Sequence, residues 1–411
     1  ENVLLNRNGG GNGLNNSFSI LSTALGTTYD IFTDNGADSF FITSGAPGSE
    51  GNLDGINGSI TIGSGTGFDF LGVSDLTDNT GADYSLDTVV LGPDSRLTTL
   101  SISDQPATIS YFSNTAPTVD DLEQFTLFGS RAGGNTYTIN STTATVSTLI
   151  GDGDGNGSGN SVFTIQADQL APTANNLFFG FAGVDRFNID LNGSFATGNS
   201  FVIDGGTAPV GTRDIVQIDE GGVDFARTAS FNYTANGVDF NSFPGTTVNL
   251  NAVESVLYDG EGADDNISVS ALDFSDDQIT VAPFGPNQAL VFLGGAPYSG
   301  LPENFFAQLP GVAGGGALPD LRLSNLENQN GLQIFGNATF AAPDNQLFFY
   351  GNSDVDLLSA AEGGFDILGS RHDHDGYGFP PRFHLPREPP AVHNGHAHIQ
   401  QDKPGPGLPY F

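Results

Sequence analysis

The 411-residue sequence contains no cysteine, no methionine and no tryptophan. Without thiols there are no disulfides and no thiolate metal sites, so the core must come from packing alone. Methionine is missing even at position 1. A chain that begins Glu1-Asn2-Val3 is expected to have lost an N-terminal segment, most simply a secretory signal. Lysine occurs once, at Lys403, and every histidine lies beyond residue 370. Residues 1 to 370 therefore offer no Ser-His-Asp triad, no cysteine nucleophile and no lysine base. What is left for catalysis is a carboxylate pair of the glycosidase kind, with Asp120/Asp121, Asp264/Asp265 and Asp276/Asp277 as nominal candidates. Adjacent residues on a strand point to opposite faces, so none of these forms an acid/base pair by itself. No apolar run approaches the roughly 20 residues of a membrane-spanning helix, and no membrane span is expected.

Positive charge is also scarce: 11 Lys and Arg stand against 47 Asp and Glu, a net charge of −36. In residues 371 to 411, Arg371, Arg382, Arg387 and Lys403 balance Asp373, Asp375, Glu388 and Asp402, so the whole excess lies in residues 1 to 370. Such a body repels nucleic acid and anionic lipid. Divalent cations are its natural partners; the plain alternative is that acidity keeps the protein soluble.

What the chain does have is a recurring unit, clearest from Val253 to Ala271. Val253, Val256 and Tyr258 precede the turn Asp259-Gly260-Glu261-Gly262-Ala263-Asp264-Asp265, and Ile267, Val269 and Ala271 follow at period two. Related stretches start at Tyr29, Phe125, Thr148, Leu177 and Leu347. Between Phe125 and Leu191 their spacing is that of one turn of a repeat architecture, roughly 25 residues. With Val, Ile, Thr and Phe filling the periodic segments, this predicts an all-β, elongated, right-handed parallel β-solenoid, a rod of about 70 Å at the usual strand spacing. A β-sandwich array is the competing architecture. From Ile215 onwards the spacing lengthens, which predicts projecting loops or an extra hairpin. The expected organisation is an arm over residues 1 to 16, which could pair elsewhere as a strand, and a body over 17 to 370 with a sub-boundary near 310 to 319. A Pro/Gly/His-rich tail over 371 to 411 follows, unable to make a core of its own. Pro302 to Leu309 reads either as a short helix or as a loop.

Three groups of residues are candidates for binding. Asp152, Asp154 and Asn156 match the start of a calcium loop but place Phe163 where a bidentate Glu would close it, leaving a weaker calcium turn or a solvated Asx turn. Asp259, Glu261, Asp264 and Asp265 form a second acidic turn, with Asp34, Asp38 and Asp185 behind them. In the tail, His372, His374, His396 and His398 are spaced for imidazole ligation of a transition metal, or are simply solvated. Phe379, Arg382, Phe383, Leu385, Arg387, Tyr410 and Phe411 form the expected interface set: aromatic anchors and cations on a proline-extended segment, suited to docking on an acidic neighbour.

The stretch VESVLYDGEGADDNISV resembles the degenerate VESL-x-V-x-G-x-x-G-x-D-x-φ-x-V units of repetitive surface proteins from planctomycete-type bacteria, over about residues 120 to 360. It is more distantly similar to the calcium-binding nonapeptides of RTX proteins. The resemblance implies secretion to the extracellular or cell surface and a structural or adhesive role. The expected function is thus a secreted bacterial structural protein that self-assembles into a filament or surface layer. A calcium-dependent adhesin that binds glycans or cell-surface polysaccharide is the alternative, and a polysaccharide-cleaving β-helix enzyme stands behind both.

Overall fold

The structure, a computed structural model, describes residues 2–7, 15–45, 50–114, 122–153, 159–172, 175–191, 199–209, 212–219, 228–234, 237–243, 245–259, 266–270, 278–285, 288–293, 320–324, 331–335, 346–351, 358–361 and 366–371. Helix candidate 302–309, the 310–319 break and the tail beyond Arg371 lie outside these residues.

Among the described residues the protein is all-β, with one short 3-10 turn at Ala167–Gln169 and no α-helix. The strands are β1(Asn2–Arg7), β2(Ser17–Ile20), β3(Thr28–Thr33), β4(Ser39–Ile42), β5(Ile60–Gly63), β6(Phe70–Ser74), β7(Asp83–Val90), β8(Ser95–Ile102), β9(Thr108–Asn114), β10(Gln124–Phe128), β11(Thr136–Ile139), β12(Ser147–Gly151), β13(Val162–Gln166), β14(Asn176–Phe179) and β15(Arg186–Asp190). They continue with β16(Asn199–Asp204), β17(Ile215–Asp219), β18(Thr228–Thr234), β19(Gly237–Phe243), β20(Thr246–Asn251), β21(Ser255–Asp259), β22(Asn266–Ser270), β23(Gln278–Gly285), β24(Gln288–Leu293), β25(Asp320–Ser324), β26(Gly331–Phe335), β27(Gln346–Gly351), β28(Leu358–Ala361) and β29(Asp366–Arg371).

These strands form two long sheets. Sheet A has 16 strands in the order β1-β3-β5-β9-β8-β7-β11-β13-β15-β17-β21-β25-β24-β23-β27-β29. Sheet B has 13, in the order β2-β4-β6-β10-β12-β14-β16-β20-β19-β18-β22-β26-β28. From β10 to β17 the chain crosses from one sheet to the other at every turn, and from β12 on each strand pairs in parallel with the one two places earlier. The N-terminal arm joins this pattern, since β1 pairs in parallel with β3. Antiparallel pairing, which a sandwich array would require throughout, is confined to β7-β8-β9, β18-β19-β20 and β23-β24-β25. Among the described residues, the lengthened spacing after Ile215 is met by extra antiparallel strands inside the sheets, β19 in sheet B and β24 in sheet A. Because one antiparallel strand sits between two parallel ones, strand polarity is the same on both sides of each insertion. At about 4.8 Å per strand, the fifteen spacings of sheet A span about 70 Å.

Period-two alternation sets the core. On β13, Phe163 and Ile165 are buried while Val162, Thr164 and Gln166 are half-buried, and β15 and β17 repeat the pattern. Buried aromatics then stack along the inner face: Tyr84 on Tyr137 at 5.1 Å, Tyr137 on Phe163 at 4.4 Å and Phe163 on Phe187 at 4.6 Å between ring centroids. Parallel register enforces this, because like residues recur one strand spacing apart. Tyr111 of sheet A stacks on Phe125 of sheet B at 5.4 Å, so the inner faces share one core.

Candidate functional site

The recurring turn turns out to be a corner between sheets, of two kinds. The copies at Tyr29, Val253 and Leu347 lead from sheet A to sheet B, whereas those at Phe125, Thr148 and Leu177 lead from B to A. At the second kind, Asp152 is fully buried. Its Oδ1 accepts hydrogen bonds from Asn135 Nδ2 and from the Tyr137 hydroxyl, the latter at 3.2 Å. Two sheet-B corners away, after β6, the Tyr84 hydroxyl donates to Asp75 Oδ2 at 2.7 Å. Asp154 and Asn156, Glu261, Asp264 and Asp265, the four tail histidines and the tail interface residues lie outside the described residues. Asp259 ends β21 on the outward side of sheet A, in register with Asp219, which is in register with Asp190. Among the described residues no group of three or more His, Asp or Glu side chains converges as a metal site.

What the corners assemble is a pair of side-chain ladders. The residue just ahead of a strand has a backbone N–H that points along the sheet beyond the regular strand pairing, and a buried donor left unmade would cost about 1–3 kcal/mol. In each ladder the next strand's preceding residue supplies the acceptor. At sheet B, Asp38 Oδ1 accepts from Asn16 N–H at 2.6 Å, Asp69 Oδ1 from Asp38 N–H at 2.7 Å, and Glu123 Oε2 from Asp69 N–H at 2.6 Å. At sheet A, Asn135 Oδ1 accepts from Ala82 N–H at 3.1 Å and Ser161 Oγ from Asn135 N–H at 3.2 Å. The sheet A ladder goes on with Asp185 Oδ1 (from Ser161 N–H, 2.9 Å), Asp214 Oδ1 (from Asp185 N–H, 2.7 Å) and Glu254 Oε2 (from Asp214 N–H, 2.7 Å). The corner glycines make room: a Cβ on Gly180 would strike Asp185 Oδ2, and one on Gly205 would lie 3.0 Å from Asp214 Oδ2. The G-x-x-G-x-D turn thus combines glycines that clear space with an acid that turns inward to bond the strand above.

Burial gives these acids unusual electrostatics. Asp38, Asp69, Asp185 and Asp214 are fully buried. Among the described residues, Oδ2 of Asp38 and Asp214 has no hydrogen-bond partner. Desolvation pushes the Asp69 carboxyl up to about 7, against the hydrogen bond from Asp38 N–H and reinforced by the nearby charges of Glu123 and Asp38. Desolvation likewise raises Asp214 to about 7, opposed by the Asp185 N–H and reinforced by Glu254 and Asp204. Desolvation also raises Glu123. The ladders can hold protons near neutrality, and their acids face the backbone instead of an open cleft.

The outward face of sheet A carries rings near its N-terminal end, where Phe32 and Phe112 stack at 6.4 Å across Gly63, and becomes polar further along, whereas sheet B stays apolar over β10 to β14. On sheet A the outward positions of β15, β17 and β21 include Arg186, Asn188, Asp190, Gln217, Asp219 and Asp259. On sheet B, from β4 to β16, they include Phe41, Phe70, Phe128, Leu149, Leu177, Phe179 and Val202, all half-buried, with Asp204 the one carboxylate among them. Phe181, just beyond β14, is 39% exposed and its ring lies between Phe128, at 6.3 Å, and Phe179, at 5.7 Å.

No protein-family model, no curated protein and no solved structure matches this chain. The ladder residues Asp69, Asp214, Asn135 and Ser161 were not among the sequence candidates. Their signal was an acid, amide or hydroxyl one place ahead of a strand, visible only once the strand starts are fixed.

Proposed function

We propose that this is a secreted structural protein, a β-solenoid that stacks head to tail into an extracellular filament or layer, with its tail docking onto the neighbouring copy. The observation that supports this reading most is at the sheet ends. One end presents β1 and β2 and the other presents β29 and β28, each paired in parallel, among the described residues, on its inner side only. An end strand leaves a row of backbone N–H and C=O groups that favour another strand. Because polarity is preserved along both sheets, β28 and β29 of one copy can meet β2 and β1 of the next in the same parallel sense. That contact is heterologous and does not close, so it propagates. The absence of thiols and the strongly acidic body fit an extracellular setting stabilised by packing and cations.

Ser39 N–H and Thr43 N–H donate to Asn16 and Ile20, so on β2 the even residues face β4 and Ser17 and Ser19 face the open edge. Ser19→Pro removes one open-edge donor and spares the β2–β4 pairing. Sedimentation should show wild-type polymers and a Ser19→Pro monomer with a Tm within a few degrees of wild type. Polymers of unchanged size in the variant would sink end-to-end stacking.

The row Asp190, Asp219, Asp259 favours a second reading, a calcium-dependent adhesin acting on glycans, because like charges one strand spacing apart invite a bridging cation. Calcium should then raise the unfolding free energy of the wild type by a few kcal/mol at saturation, and that of Asp219→Asn by less. An equal response in both proteins would count against this row.

A further inference from the structure

We infer that the outward face of sheet B is the docking shelf for the proline- and phenylalanine-rich segment Phe379 to Arg387 of the next copy in the stack. The inference rests on the head-to-tail reading and assigns the place where the tail lands.

The shelf is built, not incidental. Gly151 lies between Phe128 and Phe179 in the outward column of sheet B, and a Cβ there would lie 2.6 Å from the Phe181 ring and 3.2 Å from that of Phe128. Glycine thus makes room for the Phe181 ring, which stacks on Phe179 and is tilted against Phe128. Phe181 reaches this position only by holding φ at 62°, a left-handed conformation that is rare and costly for an aromatic residue. Leu149 and Leu177 fill the adjacent column, which runs on towards the N-terminal end through Thr126 and Gly72 to Phe41, and Phe70 packs beside Phe41 at 5.6 Å.

Size decides between occupants. From β4 to β16 the shelf runs five strand spacings, about 24 Å, and it is about 15 Å wide. A footprint of roughly 400 Å² is about half of what each partner gives to a standard stable interface, too little for a second solenoid face. It suits one extended chain. Phe379 to Arg387 in polyproline geometry is about 25 Å long, and aromatic-lined surfaces are the usual seat for proline-rich segments. That segment carries Arg382 and Arg387 and no acid, so it approaches an acidic body without repulsion.

Reach decides between copies. Eight Cα–Cα steps separate Arg371, the end of β29, from Phe379 and span at most about 28 Å. The nearest shelf strand in the same chain, β16, is six spacings from β28, about 29 Å before any crossing from sheet A to sheet B. In a stacked neighbour, β4 is two spacings away and β10 four, about 10 and 19 Å before the same crossing. Phe379 reaches the neighbour's shelf and falls short of its own.

The test uses the full chain with a benzophenone amino acid in place of Leu177, assembled from a mixture of ¹⁴N- and ¹⁵N-labelled protein, irradiated and mapped by mass spectrometry. The expected product joins position 177 of one chain to residues 377 to 391 of another. Phe181→Gly, which removes the ring while suiting a positive φ, should cut its yield at least fivefold, and a benzophenone at Gln217 on the outward face of sheet A should not form it. Capture of the same residues within one chain would keep the shelf and sink the neighbour-docking reading. Capture of another copy's shelf, or no protein product, would overturn the inference.

Discussion

The two ladders solve the same geometric problem with different chemistry. At sheet B the acceptors from Asp38 to Glu123 are all carboxylates, whereas at sheet A the ladder begins with Asn135 and Ser161 and turns acidic only at Asp185. All satisfy one backbone donor at normal hydrogen-bond length. The acids gain a charge-assisted bond and carry the desolvation cost of a buried carboxylate; the neutral rungs avoid both. Where a rung has other donors to place, the amide is the better choice. Asn135 Nδ2 donates to Ser130 O at 2.8 Å as well as to Asp152, which a carboxylate cannot do.

Making the sheet A ladder resemble the other is therefore the most disruptive change. Asn135→Asp would keep the acceptor for Ala82 N–H, lose both donors and set a second buried carboxylate against Asp152. A loss of about 3 kcal/mol or more is expected in urea unfolding at pH 7.5, the cost of an uncompensated buried charge. A variant within 1 kcal/mol of wild type would show that the amide is not needed.

A smaller effect separates acceptor from charge. Asp214→Ala leaves the buried Asp185 N–H without its acceptor and should cost about 2 kcal/mol. Asp214→Asn keeps an acceptor of the same size, removes the repulsion from Glu254 and Asp204, and should stay within about 1 kcal/mol of wild type. Equal losses in the two variants would mean that Asp214 acts by charge, contrary to the ladder geometry.

Much of the fold was legible because strand alternation and turn chemistry are local. Phe163, Ile165, Phe187 and Ile189 could be placed in a core from period two alone, and the repeat length followed from turn spacing. The sheet each strand enters was not legible, since corners from A to B and from B to A use the same Gly/Asp vocabulary. The insertion β7-β8-β9 was missed for a related reason: Asp83 to Asn114 alternates as the parallel strands do, and pairing sense leaves no mark on a single strand's pattern. Of the two sequence readings of Asp152, as a calcium ligand or as a solvent-facing turn residue, the structure overturns the second: its carboxylate is buried against Asn135 and Tyr137, because the neighbouring strand presents donors that sequence spacing does not reveal. The sheet B shelf was invisible too, as its Phe and Leu residues read as core until the register showed which of them point outward.

The smallest effect expected is a dependence on pH carried by the acidic rungs and absent from the neutral ones. Asp69 and Asp214 titrate at about 7 in the folded protein and near 3.8 when unfolded. Their protonated forms are therefore the ones the fold prefers. Above pH 7 both states are ionised and burial of the charges costs the full amount. As the pH falls below 7, the folded state takes up protons first and stability rises, by at most about 1.4 kcal/mol per pH unit per group, until the unfolded carboxyls protonate near pH 4. Moving from pH 7.5 to pH 6 should thus stabilise the wild type by roughly 1 kcal/mol for each of the two acids. Reduced self-repulsion of a chain with charge −36 acts in the same direction, so the comparison must be with the double variant Asp69→Asn/Asp214→Asn, which keeps that background nearly unchanged. Its unfolding free energy should change less across this range than that of the wild type. Ser161→Asn, a neutral rung exchanged for another, should leave the wild-type slope as it is. If the double variant kept the full slope, the pH response would belong to the surface charge and the ladder acids would be proton-silent.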